Sequence, residues 1–176
     1  ELTPEYAAVP QEMKAVAAVL GKSYLRELTR QDVLENISAV RDKCGDRAVL
    51  RALHFFDENE RVEALCRALK SGDFESFLKT VTASGESSYK YLQNVFAASQ
   101  PGQQSVSLAL YLCQKLLENA GPHAFRVHGG GFAGTVQAFV PGSALEGFRK
   151  GIEQVFGEDS CHVLSIRPVG GTEVEL

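Results

Sequence analysis

Four absences bound what this sequence can be. It has no C-x-x-C pair: Cys44, Cys66, Cys113 and Cys161 stand far apart, three of them in stretches that read as helix. A body of this length buries about two-thirds of its extended surface without staples, so reduced thiols in a cytoplasmic protein are expected. It has no excess of positive charge, with 18 Lys plus Arg against 22 Asp plus Glu and a formal net charge of -4. Affinity for a polyanion comes from clustered cations, so neither nucleic acid nor an anionic membrane is expected as a partner. It has no apolar run of bilayer length, since Val106 to Leu117 is interrupted by Ser, Gln and Lys. Finally, its only methionine is Met13, and Glu1 opens no charged-then-apolar leader. Together with the thiols, this leads us to expect a piece of a longer protein.

What is present is 176 residues with 44% hydrophobic content, a globular body of one or at most two domains. Met13, Val16, Ala17 and Leu20 form one stripe of a helix from Pro10 to Leu20, stopped at Gly21. Thr29 and Asp32 offer caps for a short helix through Ile37. Asp46 opens the longest periodic run, with Val49, Leu53, Phe56, Leu65 and Leu69 toward a core. Arg47, Arg51, Glu58, Arg61, Glu63 and Arg67 are expected largely outward, and Gly72 ends the run. Asp73 sits in the first turn of a stripe of Phe74, Phe77, Leu78 and Val81. Ser87 or Ser88 is expected to cap a helix carrying Tyr91, Leu92 and Val95, and Pro101-Gly102 breaks the chain. Val106 to Leu117 is then an apolar helix ended by Gly121-Pro122.

After position 121 the period changes. Ala124 to His128, Thr135 to Val140 and His162 to Arg167 read as strands, with an amphipathic helix over Leu145 to Phe156 between the second and third. The tail from Pro168 to Leu176 reads as loop. Strand, strand, helix, strand is three-quarters of a split β-α-β ferredoxin-like unit, whose fourth strand would precede Glu1.

The most distinctive stretch is Gly129-Gly130-Gly131-Phe132-Ala133-Gly134. Glycines tolerate positive φ, so successive N–H groups can curl around an anion or let another backbone approach closely. The pattern G-x-G-x-x-G is present, but a dinucleotide site needs it to open a helix, and Thr135 to Val140 is a strand. A ligandless hairpin is the plainer alternative. Gly21-Lys22-Ser23 ends like a P-loop, yet the first glycine that motif needs is Val16, so a helix terminus is expected. His54 and Glu58 stand one turn apart, too few for a metal and better read as helix packing. His128 abuts the glycine run and could touch a ligand there. Tyr6, expected before the first helix, reads alone as a partly buried aromatic.

Taken together, these residues resemble the C-terminal part of the galactokinases, members of the GHMP family of small-molecule kinases. Arg51-Ala52-Leu53-His54 with Glu58, Arg61 and Val62 is similar to that family's R-A-x-H-x-x-x-E-x-x-R-V helix. Gly129 to Gly134 resembles its third motif, G-G-G-F-G-G, and Tyr6 with Gly21-Lys22 and Leu25-Arg26 follows its order as well. The resemblance implies an α+β, ferredoxin-like domain over 1–176, helical to about 121 and strand-strand-helix-strand from about 122. It implies an antiparallel sheet under a large helical layer, with the first strand missing.

For function, it implies part of a kinase that moves the ATP γ-phosphate to the anomeric hydroxyl of galactose. Gly129, Gly130, Gly131, Phe132, Ala133 and Gly134 would shape the nucleotide pocket against the protein's own N-terminal domain, and Tyr6 would lie against the sugar. ATP and Mg would be held through that missing half, which would supply the sugar motif and the serine-rich phosphate loop. The resemblance assigns no catalytic residue or metal ligand to this chain, which alone is expected to be inactive. A non-catalytic sensor of galactose or ATP on the same fold is the alternative. Ala133 in place of a glycine, and Ser84-Gly85 where many galactokinases have Ser-His, mark a divergent branch.

Overall fold

The computed structural model describes residues 2–166. Among these described residues, seven α-helices and one antiparallel β-hairpin make an α+β fold. Helix α1 spans Thr3–Val19, α2 Arg30–Glu35, α3 Ile37–Cys44 and α4 Asp46–Ser71. Helix α5 spans Phe74–Ser87, α6 Ser105–Leu117 and α7 Leu145–Phe156; strands β1 and β2 span Ala124–His128 and Thr135–Phe139.

Several boundaries follow from local chemistry. Thr29 and Asp32 close a reciprocal capping box on α2, Asp73 caps α5 through the Ser76 N–H, and Gly72 ends α4 in the left-handed region at φ 71°. Gly21, at φ 72°, follows α1, so Gly21-Lys22-Ser23 is a helix terminus. The first helix begins seven residues earlier than the expected start at Pro10, because Pro4 rather than Pro10 occupies the first turn. Pro10 lies inside α1 at an exposed position, and Tyr6 is therefore a helical residue. Asn36 separates α2 from α3, donating from Nδ2 to the Asp32 carbonyl at 2.8 Å.

Helices α1 to α4 enclose one apolar cluster built on Val16, Ala17, Val33, Val40, Val49 and Ala52. Leu69 lies outside the core, exposed near the end of α4. The hairpin pairs Ala124 with Phe139 through His128 with Thr135, and its alternation divides the sheet into two faces. Ala124 meets Leu78 and Val81 of α5, and Phe139 sets its ring edge-on to Phe77. Phe125, Val136 and Ala138 face the cluster of Cys113, Leu117, Phe148 and Ile152 from α6 and α7.

Two expected elements differ. Neither Ser87 nor Ser88 starts a new helix; α5 runs on through a single π turn at Ser88–Leu92, which ends at Gln93 with φ 57°. Both serines are buried, and Ser87 is bonded elsewhere. Residues 162–166 form no strand. A strand exists by its ladder, and this segment pairs with neither β1 nor β2, leaving Leu164 and Ile166 at 87% and 86% exposure. Arg167 and the expected loop from Pro168 to Leu176 lie outside the described residues.

Candidate functional site

One polar stripe on α4 frames the site. Arg51, His54 and Glu58 recur at helical spacing and so share a face. Arg51 and His54 are only 1% and 6% exposed, and Glu58 is half-buried. The outward placement expected for Arg51 and Glu58 is thus corrected: each turns in because a neighbouring element offers a partner, without which burial would be costly. Arg51 donates from Nε to the Leu92 carbonyl at 3.0 Å and from Nη1 to Glu12 Oε2 at 3.0 Å. Burial lowers its pKa, with the Glu12 carboxylate pulling the other way. Glu12 also accepts from Arg47, at 3.0 Å from Nε to Oε1.

His54 Nδ1 lies 2.9 Å from Ser87 Oγ. Glu58 accepts from Arg61 at 2.9 Å, from Arg126 on β1 at 3.3 Å and from the Ser84 hydroxyl. Arg126 also donates to Ser84 Oγ at 2.5 Å. Burial alone would raise the Glu58 pKa, but the hydrogen bonds of Ser84 and Arg61 and the charge of Arg126 hold it below its ordinary 4.5. These contacts tie α4 to α1, α5, the π turn and the sheet, so the stripe is scaffolding.

Burial, chiefly through desolvation, pushes the His54 pKa below its ordinary 6.5. The unfolded chain therefore binds this proton at higher pH than the fold does, and stability is lost as pH falls below that value. Thermal midpoints between about pH 7 and pH 5 should fall faster for the natural chain than for His54→Gln. Equal slopes would contradict a buried, neutral His54. Glu58 contributes in a separate window, below 4.5.

The glycine run joins β1 to β2 and is pinned at its middle. Gly131 and Phe132 are buried, whereas Gly129, Gly130, Ala133 and Gly134 are exposed. The Phe132 N–H donates to the Asn94 carbonyl, Asn94 Nδ2 donates to the Gly130 carbonyl at 3.3 Å, and the Tyr6 hydroxyl donates to the Gly131 carbonyl at 2.9 Å. The Tyr6 and Phe132 rings meet edge to face at 5.0 Å. Gly131 sits at φ 82° and Phe132 at φ 57°, a left-handed pair that the anchors hold in place.

Two glycines here are demanded by space. A Cβ on Gly130 would lie 2.6 Å from Tyr6 Cε1, and one on Gly131 would lie 2.0 Å from the Asn94 carbonyl oxygen. Ala133 is exposed and outside the left-handed region, so a methyl there is tolerated. Tyr6 and the glycine loop, 125 residues apart in sequence, thus form one site. His128 ends β1 beside it and is exposed; His162 is exposed and lies in no strand.

Asn94 is the residue the sequence did not betray. It is 4% exposed between Gln93 and Val95, and its Oδ1 is buried with no partner among the described residues. A polar residue interrupting Leu92 and Val95 was the available signal. Glu12 was missed too, masked as an ordinary exposed-face residue of α1.

Two surface depressions lie away from the glycine loop. One, mostly apolar, is lined by Val9, Met13, His54, Phe55, Glu58 and Leu92. The other, between α4 and α5, holds Arg30 bonded to Asp57 at 2.9 Å and to Glu60 at 2.6 Å. Among the described residues no group of three or more His, Cys, Asp or Glu is placed to hold a metal ion. Nor is any described helix long and apolar enough to cross a membrane.

No protein-family model matches the chain. It is 34% identical over 164 residues to a galactokinase of Thermotoga maritima, covering 88% of this chain and 42% of that protein. It is 36% identical over 132 residues to one of Thermotoga petrophila, covering 75% and 33%. A human galactokinase is 27% identical over 161 residues, covering 92% and 38%. Among solved structures, Lactococcus lactis galactokinase complexed with galactose superposes with a TM-score of 0.62 at 25% identity, covering 88% of this chain and 37% of that one. The chain thus spans about two-fifths of the length of the relatives it matches. In sequence and in fold, it is a homologue of the galactokinases.

Proposed function

We propose that this chain is the C-terminal domain of a cytoplasmic galactokinase-like sugar kinase, spanning 1–176, which passes the γ-phosphate of ATP to the anomeric hydroxyl of galactose. The observation that carries this is the glycine loop, held rigid at Gly131 and Phe132 while glycines on either side remain exposed. Phosphoryl transfer depends on positioning and charge neutralisation, so a loop whose backbone can approach phosphate or another phosphate-binding segment is what the reaction requires. Gly129 to Gly134 would border the nucleotide. No side chain larger than the Ala133 methyl stands on the exposed part of the loop, which fits close approach.

Mg-ATP supplies the transferred phosphoryl group. The resemblance to the galactokinases implies that the metal would be held by the phosphates and the protein's other half. Tyr6 would present its ring to the sugar. Its hydroxyl proton is engaged by Gly131, so that oxygen faces a ligand only as an acceptor. The four cysteines are free, as reduced thiols of a cytoplasmic protein would be, and burial pushes the pKa of the Cys113 thiol up to about 12.

The test is a product assay on the full-length protein with ATP, Mg and galactose. Galactose phosphorylated at its anomeric oxygen, with one ADP formed for each, supports the proposal. Binding of both ligands without turnover would favour a non-catalytic sensor, and binding of neither would refute both.

A further inference from the structure

We propose that Arg51 is a positioning residue for the glycine loop, acting through the main chain from Leu92 to Asn94; this rests on the loop bordering the nucleotide. A guanidinium buried to 1% exposure is an expensive way to fill a helix face, since an apolar side chain of similar volume packs without desolvation cost. What the charge secures is one backbone oxygen. Leu92 closes the π turn, where carbonyls lose their helical donors, and Arg51 Nε supplies the missing donor at 3.0 Å. Glu12 neutralises the same guanidinium at 3.0 Å and joins it to α1, the helix that carries Tyr6.

Beyond that bond the path is short. Gln93, at φ 57°, reverses the chain, and Asn94 then grips the loop twice, accepting the Phe132 N–H and donating to the Gly130 carbonyl. The loop's other anchor, the Tyr6 hydroxyl on Gly131, hangs from the helix that Glu12 ties to Arg51. His54 and Glu58 serve α5 and β1 instead, so Arg51 alone in the stripe addresses the 92–94 segment.

The experiment compares Arg51→Met, Arg51→Lys and Glu12→Gln in the full-length protein by amide exchange and steady-state kinetics. In Arg51→Met the Phe132 amide should exchange at least about tenfold faster, while Val127 and Val136 in the ladder change less than about twofold. KM for ATP should rise about fivefold or more, with kcat at saturating ATP within about twofold. Arg51→Lys should recover part of both effects, because an ammonium can reach one of the two partners. Glu12→Gln should show the same pattern more weakly, and it tests the idea if Arg51→Met does not fold. Phe132 exchange that is unchanged, or that rises in step with the ladder, would overturn the proposal. Should the natural protein not use ATP, the functional reading falls, and the exchange data still decide the role of Arg51.

Discussion

Gly131→Val is expected to lower kcat/KM of the full-length protein at least about a hundredfold, roughly 2.7 kcal/mol of transition-state stabilisation, while the domain stays folded. The added Cβ would stand 2.0 Å from the Asn94 carbonyl oxygen and 2.6 Å from its Nδ2, at a residue whose φ is 82°. The nearest atom is backbone and cannot rotate aside. The loop must lift from Asn94, breaking the Phe132 bond and the one from Tyr6. Strain of about 1 to 3 kcal/mol at one loop leaves the helical clusters intact, so the domain should stay folded although its stability falls by a comparable amount.

Two controls sharpen this. Gly129→Ala places a methyl in open space at φ 71°, costing about 1 to 2 kcal/mol of backbone strain with no clash. Gly142→Ala meets nothing within 4 Å and is not in the left-handed region. The expected order of effect is Gly131→Val well above Gly129→Ala, and that above Gly142→Ala. Equal effects at Gly129 and Gly131 would mean that Asn94 does not anchor the loop.

Gly85→His carries the largest expected loss of stability. Glycine in a helix interior costs about 1 kcal/mol relative to alanine, so propensity alone favours any replacement but proline in α5. Packing opposes it. A Cβ at Gly85 would lie 2.8 Å from Arg126 Cβ, 3.1 Å from the Phe125 carbonyl oxygen and 3.2 Å from Arg126 Cα. These are atoms of β1, a strand fixed in register with β2. Forcing α5 off β1 costs about 1 to 3 kcal/mol in overpacking, and it also pulls Arg126 from Ser84 and Glu58.

We expect a total near 3 kcal/mol, lowering the thermal midpoint by about 6 to 12 °C for a body of this size. A midpoint that rises would show that helix propensity outweighs the approach of α5 to β1. The result also bears on the departure from the Ser-His found at this place in many galactokinases: glycine is required here by local space.

Where one residue's own chemistry decides, the sequence was a good guide. The capping box at Thr29, the left-handed Gly72, the edges of β1 and the span of α7 all follow from side chains acting within a few positions. It failed where a distant partner decides. Arg51 and Glu58 looked like a solvated face because periodicity cannot register that Leu92, Ser84 and Arg126 will be waiting for them. The π turn is invisible for the same reason, since Ser87 is held by His54 on another helix. Residues 162–166 have strand-type side chains but pair with neither β1 nor β2. The glycine run joins β1 to β2 where the flanking strand-type residues put it, while the groups that fix it, Asn94 and the hydroxyl of Tyr6, were legible only once α1 and the 92–94 segment were brought beside it.

The most direct measurement is amide exchange in the full-length protein with and without saturating ATP and Mg, read at Gly129 to Gly134. We predict that ATP slows exchange in the exposed part of the loop at least about tenfold and that Gly131→Val abolishes this protection. ATP that binds tightly while exchange across residues 129–134 is unchanged would place the nucleotide elsewhere and contradict the account.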